Sequence, residues 1–547
     1  MVRTTTTATT SLSVVMALAV FAFGCGESEQ SRISADLFTW DSATEDFIEG
    51  LPEIDGAEEV RVRVAEPTSG NVISQVTASI DDAGVRIPEL EGSSGLRLEF
   101  AVRDDSETLA TGATPTFGVR EGHNQAFRTM VTEIGTFAPV GSLVRGSSTG
   151  NESYITSTYD DRELDVSWYG RAGHTAKPTD SGELLVVAGG QVSNMPVPAE
   201  VPSITQTFTD IQIFDPATGY FTELAGDEAA REAGVVGQDR LEEGRAFHAV
   251  TPLGDDRFLV TGGFGSGGAP VGTVELIDLD ADPGERVQTL EGADQLAQAR
   301  GMHTATFRES DETVVVAGGL GNSADDVVGT IEVIDPDPAD PAIESGIQME
   351  SPRVGHGAVL LEDDATVWFI GGRQGSDGSD ILSSTEQFGE TGETETGPSL
   401  NQARYEASVI HLGDQGNDLV AIFGGLSAGG ARSSYELGNP LLQDTVDTSG
   451  DWEIGEARGG ADVYHLPDTD DVVLVGGYDR DREPTGSAER FSFDAGAVAS
   501  DDMHYGRGAP ATGYLTNGRI LVTGGEDIVD HVARHDAEYF NPDLATD

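Results

Sequence analysis

Four histidines stand at one fixed spacing from an arginine: Arg171-Ala172-Gly173-His174, Arg245-Ala246-Phe247-His248, Arg300-Gly301-Met302-His303 and Arg353-Val354-Gly355-His356. Imidazoles brought together by a repeating fold could hold a cation or act in catalysis. The competing reading is structural. A residue repeated in every unit meets the same backbone in every unit, and a guanidinium fork suits carbonyls and carboxylates between neighbouring units. Three further units keep only the arginine: Arg404, Arg458 and Arg507. A second set of candidates is acidic. Asp377 with Asp380, and Asp479 with Asp481, offer oxygen ligands at short spacing, as Ca²⁺ requires. Neither has an EF-hand pattern, and chance carboxylate pairs are common in so acidic a chain. Calcium at Asp377 and Asp380 is the one cofactor considered, and none is expected. No phosphate-binding glycine loop, zinc motif, serine elbow or basic nucleic-acid patch occurs.

These residues must be positioned by the element between them, a short apolar run ending on two glycines. It occurs seven times, at Gly189-Gly190, Gly262-Gly263, Gly318-Gly319, Gly371-Gly372, Gly424-Gly425, Gly476-Gly477 and Gly524-Gly525. The first glycines are 73, 56, 53, 53, 52 and 48 residues apart, a period that indicates a repeat architecture. Each unit reads as arginine turn, short strand, polar turn, apolar strand ending in Gly-Gly, variable loop and third strand. The third strand carries an acidic and aromatic signature, as in Glu275-Leu-Ile-Asp278, Glu332-Val-Ile-Asp335, Glu386-Gln-Phe388 and Glu489-Arg-Phe491. A fourth, weaker strand closes the unit, clearest at Asp451-Trp452-Glu453-Ile454.

From Gly170 to Pro542 this pattern resembles kelch repeats. Departures are the histidine missing from the last three units, the aspartate missing after Phe388 and the degraded third strand near Tyr435. The resemblance implies a seven-bladed β-propeller, in which radial packing of four-stranded sheets buries both faces of each. The glycine pairs and the seven arginines then serve structure, since glycine permits positive φ and close backbone approach. The last unit ends after its third strand. Gly135–Gly141 is expected to supply the fourth by pairing near Ala537–Phe540, with Glu163–Trp168 as the competing candidate and Arg145–Arg162 as an inserted loop. Copper radical oxidases resembling galactose oxidase share this kind of fold. Their chemistry needs a tyrosine cross-linked to cysteine, and Cys25 lies outside the repeats, so that activity is not expected. Sugar epimerases and mutarotases of similar fold need no cysteine.

At 547 residues the chain exceeds one ordinary core. Cys25 is the single cysteine, so no disulfide can form within it. Arg3 followed by the apolar run Ser11–Phe23 fits a signal peptide, over residues 1–24. Ala22-Phe23-Gly24-Cys25 resembles a bacterial lipobox with Cys25 as the lipidated residue; simple secretion and a retained anchor are the alternatives. A polar tether over 25–34 and a small antiparallel β-sandwich over 35–134 follow. In the latter Val60, Val62 and Val64 alternate with arginines, and Leu98, Phe100 and Val102 with polar or small residues. Residues 135–547 form the repeat array. The whole reads as an all-β protein exported to the bacterial outer membrane or cell surface, with the periplasmic face also open. Its membrane contact is through the lipid alone. The expected function is noncatalytic binding of a protein or glycan through the loops after the glycine pairs, above all Gln191–Thr209 and Phe264–Gly272. The alternative is a carbohydrate-active enzyme of the epimerase or mutarotase kind.

The net charge is −64, and Lys177 is the only lysine. Such a field disfavours nucleic acid and anionic lipid as partners. It favours cations, or a saline setting where self-repulsion is screened. Raising NaCl from about 0.1 M to about 2 M, a span over which screening shortens to a few ångströms, should therefore raise the thermal midpoint. An unchanged midpoint would remove the electrostatic reading.

Overall fold

A computed structural model describes residues 20–21, 32–41, 46–49, 58–66, 71–79, 97–104, 108–113, 124–130, 132–133, 137–139, 171–192, 202–216, 220–226, 235, 237–361, 365–375, 380–389, 391–412, 419–440, 444–447, 453–466, 471–493, 496–503, 507–508, 510–515, 518–527 and 537–541. Two compact units result, one of Met1–Thr136 with Thr516–Gly518 and Asp543–Asp547, the other of Phe137–Leu515 with Arg519–Pro542. Among the described residues all regular structure is strand except the 3₁₀ turn Leu224–Gly226 and the 3₁₀ residue Pro440. None forms a helix long and apolar enough to cross a membrane. Cys25 lies outside the described residues.

The first unit holds two sheets. One is antiparallel, in the order Asn71–Ser79, Glu59–Glu66, Arg97–Arg103, Thr108–Ala113 and Thr132–Glu133. Val60, Val62, Val64, Leu98, Phe100 and Val102 are buried in it, as period-two alternation requires. The other corrects the antiparallel expectation. Arg32–Asp41 pairs in parallel with Asn124–Met130, and antiparallel with Asp46–Glu49 and Val20–Phe21. Alternation marks which face is buried but not strand direction, and the long intervening chain allows a parallel return. Arg32–Ser34, expected in the tether, begin this strand, because apolar alternation already starts at Ile33. The candidate strands at 85–90 and 116–119 lie outside the described residues.

Among its described residues the second unit contains seven four-stranded antiparallel sheets. The first is Thr175–Pro178, Leu184–Val187, Ile211–Asp215 and Tyr220–Glu223. The second is Ala249–Gly254, Arg257–Thr261, Val274–Asp278 and Val287–Thr289. The third is Thr304–Arg308, Thr313–Ala317, Thr330–Asp335 and Ala342–Gln348. The fourth is Gly357–Leu360, Val367–Ile370, Thr385–Phe388 and Thr394–Thr396. The fifth is Ser408–His411, Val420–Phe423, Tyr435–Asn439 and Asp444–Asp447. The sixth is Asp462–His465, Val472–Val475, Ser487–Ser492 and Gly496–Asp502. The seventh takes Ala511–Tyr514, Ile520–Thr523 and Ala537–Phe540 from the end of the chain and Phe137–Pro139 from the start, with Phe137 opposite Phe540 and Pro139 opposite Glu538.

The second strands are buried on both faces, because each sheet packs on its neighbours. Val260 of the second sheet shares a cluster with Leu185 and Val187 of the first. Val314 and Val316 meet Leu259 and Leu276, and Phe369 meets Val315 and Ala317. Trp368 joins Val420 and Ile422, Phe423 joins Leu474 and Phe491, and Val473 and Val475 join Ile520 and Val522. Phe214 of the first sheet lies edge-on to Tyr539 of the seventh, 5.9 Å between centroids. Each fully buried side chain of this size contributes about 1.5–3 kcal/mol.

Two expected features differ. The fourth strand of the fifth sheet is Asp444–Asp447, not Asp451–Ile454. Ile454 is instead a buried plug whose N–H donates to the Ser433 carbonyl. The third strand near Tyr435 is not degraded; within Tyr435–Asn439, residues 435–438 pair one to one with Val420–Phe423.

Six of the seven glycine pairs have positive φ at both residues, for example 64° at Gly318 and 101° at Gly319. In the first sheet the two positions are Ala188 and Gly189, at 51° and 100°, so the expected pair Gly189-Gly190 is one residue out of register there and Gly190 does not share the conformation. A Cβ at Gly318 would overlap the Arg353 carbonyl oxygen of the next sheet. Gly318→Ala should therefore cost at least about 1–3 kcal/mol from backbone strain. A urea midpoint equal to that of the unaltered chain would contradict this account.

Candidate functional site

The arginine turns meet at one end of the sheets. Each guanidinium is buried against its own sheet, not between sheets as expected. Arg300 Nη1 donates to the Gly318 and Thr330 carbonyls, and Nη2 to Glu332 Oε1 at 2.6 Å. Arg245 meets Glu275, Arg353 meets Glu386 and Arg507 meets Glu538 in the same way. Arg404 pairs with Glu436 at 2.6 Å, and Arg458 with Glu489 at 3.5 Å. In the first sheet Gln212 stands where the glutamate would be, and Asp210 supplies the carboxylate to Arg171 at 2.7 Å. The glutamates also accept backbone N–H bonds, Glu332 from Ala297 and Gln298, Glu386 from Glu350 and Ser351. Burial pushes Glu275 up and Arg245, Arg300, Arg353 and Arg458 down, each opposed by its ionised partner.

The arginine backbone links the sheets. The N–H of the second glycine in one sheet donates to the arginine carbonyl of the next, Gly263 to Arg300, Gly319 to Arg353, Gly372 to Arg404 and Gly425 to Arg458, and in the first sheet Gly189, the first glycine of its pair, donates in the same way to Arg245. Gly525 of the seventh sheet donates to Arg171, ahead of the first, at 2.9 Å. Between the sixth and seventh sheets, Thr512 donates to Asp462 at 2.6 Å.

All four histidines are buried between consecutive sheets. Each Nε2 faces a threonine hydroxyl of the preceding sheet: His174 to Thr523 at 2.8 Å, His248 to Thr175 at 3.2 Å, His303 to Thr261 at 2.9 Å and His356 to Thr304 at 3.0 Å. Each Nδ1 is buried without a hydrogen-bond partner among the described residues. That arrangement suits a neutral ring donating from Nε2. Burial, and then the nearby guanidiniums of Arg171 and Arg507, hold His174 down at about 3. Burial with Arg300 and Arg245 does the same to His303, also at about 3. His248 and His356 are lowered for the same reasons. Among the described residues no group of three or more His, Cys, Asp or Glu could hold a metal ion. Asp377 lies outside them. Asp479 accepts the N–H groups of Asp481 and Glu483, closing its own turn.

One residue before the histidine position, the backbone turns left-handed in each of the first six sheets. Gly173, Gly355 and Gly460 stand there with φ of 62°, 62° and 68°, but so do Phe247, Met302 and Glu406 at 55°, 54° and 50°. A non-glycine residue pays about 1–2 kcal/mol for that conformation. The turns are bonded to each other, Phe247 N–H to Gly173 O, Met302 to Phe247, Glu406 to Gly355 and Gly460 to Glu406. They frame a cavity of about 440 Å³ that also takes in Asp462, Tyr478 and the four histidines. Burial raises Glu406, opposed by Arg373, and raises Asp462, opposed by the Thr512 hydroxyl and Lys177. Sequence reading singled out the histidines here but not Glu406, Asp462 or Tyr478. The signal available was a bulky or charged residue where glycine recurs.

The loops after the glycine pairs rise at the same end. Phe264 is fully buried, but Ser266, Gly267 and Ala269 are exposed. Ser266 Oγ accepts the Thr207 N–H at 3.1 Å, tying this loop to the preceding one. Within Gln191–Thr209, residues 193–201 lie outside the described residues.

No family model matches the chain, and no curated protein matches it. Among solved structures, the chain is similar to a fungal alcohol oxidase of the AA5 family, in complex with copper. The likeness covers 68% of this chain and 75% of that one, at 14% identity and a TM-score of 0.47. At that level it has no bearing on activity.

The histidine environment sets a pH dependence. A free imidazole titrates near 6.5, so between about 6.5 and about 3 the unfolded chain binds protons that native His174 and His303 refuse. Their contribution is full above that window and is lost as pH falls through it. Glu406 and Asp462, raised in the native state, act in the opposite sense, so the comparison must be differential. His303→Gln should lose less stability than the unaltered chain between pH 7 and 4.5, read from urea midpoints. Parallel curves would refute the assignment.

Proposed function

We propose that the second unit is a closed, seven-bladed kelch-like β-propeller on a lipid-anchored, exported bacterial protein. Its work is noncatalytic recognition of a protein or glycan at the cell envelope, through the end of the array where the glycine-pair loops rise. The observation that supports this is the internal use of the repeated polar groups. The seven arginines, their carboxylates and the four histidines are all buried in the scaffold. What varies from sheet to sheet, and is exposed, is the loop set with tips such as Ser266–Ala269. Variable loops on a rigid frame are the usual carriers of recognition. The backbone bond from Gly525 to Arg171 and the pairing of Phe137–Pro139 with Ala537–Phe540 support the closed count of seven.

A carbohydrate-active enzyme is the second reading. It is favoured by the two carboxyl groups, Glu406 and Asp462, that share the cavity with Tyr478.

A fragment beginning at Gly26, which spares the strand from Arg32, should bind on a glycan array or to one envelope protein. Replacing Ser266–Ala269 should weaken that binding while leaving the thermal midpoint in place. Chemical change of a bound sugar on incubation would refute noncatalytic function. Binding indifferent to every loop replacement would refute the proposed surface.

A further inference from the structure

The cavity among the arginine turns has its own chemistry, and the inference drawn from it holds whether the array binds or catalyses. At the glycine positions that frame it, two are covered. A Cβ at Gly173 would lie 2.7 Å from the Phe247 ring, and one at Gly355 would lie 2.8 Å from Glu406 Oε1. Gly460 is different. The nearest atoms to a carbon placed there are Tyr478 Cδ2 at 3.6 Å and Glu406 Oε2 at 3.7 Å. A methyl-sized group at that point would therefore touch an aromatic ring and a carboxylate at ordinary contact distance. Asp462 and the side chains of Phe247 and Met302 line the same space.

The ionisable groups of this lining are two carboxyls, four imidazoles and the Tyr478 phenol. The imidazoles are buried against threonines and stay neutral at ordinary pH. Arg373 and Lys177 act on Glu406 and Asp462 from outside the lining. Arg373 donates to the Gly375 carbonyl and lies over the Tyr405 ring. Across the whole chain the net charge of −64 draws cations and repels anions. Aromatic faces, a thioether and carboxylates together suit an ammonium group with alkyl substituents.

We infer that this cavity binds a small alkylammonium ligand, its charged nitrogen seated over Gly460 between Glu406 and Tyr478, its alkyl part toward Phe247 and Met302. The left-handed backbone explains why the site is recognisable. Gly173, Gly355 and Gly460 show that glycine serves this turn. Phe247, Met302 and Glu406 hold the same conformation against preference, and the ligand accounts for their side chains.

The test uses choline and its uncharged shape-match, 3,3-dimethylbutan-1-ol, titrated calorimetrically into the full chain. About 0.5 M NaCl screens the general acidic field. Choline should bind saturably at one site, with the alcohol about tenfold weaker or worse. Glu406→Gln should weaken choline about tenfold, and Glu406→Gly should abolish binding while the thermal midpoint holds or rises. Phe247→Gly, which relieves the same backbone strain, should also weaken binding. No saturable choline binding to the unaltered chain, equal binding of the alcohol, or undiminished binding in either folded Glu406 variant or in Phe247→Gly would overturn the site.

Discussion

The second unit depends on a buried guanidinium that holds its own sheet together while its backbone carbonyl serves the next. Arg300 shows the arrangement in full. Its fork bridges the glycine-pair carbonyl, the third-strand carbonyl and the Glu332 carboxylate. Its main-chain oxygen accepts the Gly263 N–H of the second sheet. Charge burial of this kind is repaid only by close geometry and further hydrogen bonds to the remaining lone pairs and protons. That is why the glutamates accept backbone N–H bonds as well. Among the described residues the Nε of Arg171, Arg353 and Arg458 has no such bond. Removing one member would strand its partner, at about 3–5 kcal/mol.

The glycine pair is the other half of the same constraint. A side chain at the first glycine would meet the next arginine's carbonyl at Gly262, Gly318, Gly371, Gly424 and Gly524, and at Gly262, Gly318 and Gly524 the next histidine's ring as well. A side chain at the second would meet the histidine or arginine turn of its own sheet. Glycine, arginine and histidine are thus a packing set spread over neighbouring sheets. The histidines are neutral wedges, with one nitrogen bonded to threonine. Where they are absent, Ala407, Ala461 and Pro510 take the place and the glycines remain.

The apolar strands and glycine pairs were legible in the sequence because burial on both faces leaves unbroken runs such as Val314–Ala317. The arginines were legible as a repeat, but their partners were not. Glu275, Glu332, Glu386, Glu489 and Glu538 were visible only as a strand signature, and Glu436 was hidden in a strand that looked degraded. Asp210 could not be anticipated, because a carboxylate one turn of register away replaces the one lost at Gln212. The parallel pair in the first unit was also invisible, since alternation carries no direction. The plugs Leu296, Met349, Leu400 and Ile454, each four residues before an arginine, are buried and were readable in principle. Ile454 was instead read as part of a strand. At the cavity the informative signal was an exception to the repeat, Glu406 where glycine recurs, and a reading tuned to recurrence passes over exceptions.

The seventh sheet joins segments from opposite ends of the unit, Phe137–Pro139 and Ala537–Phe540. Roughly 400 residues lie between them, and closing so long a loop in an unstructured chain costs about 3 kcal/mol more than closing a ten-residue hairpin. Six sheets are built from neighbouring hairpins and carry no such cost. Assembly therefore has an order written into it. The local hairpins form first and bring the distant ends into reach, and the seam is the last pairing made. The same entropy makes this seam the costliest pairing to remake once parted, whereas the other six sheets re-form from local hairpins.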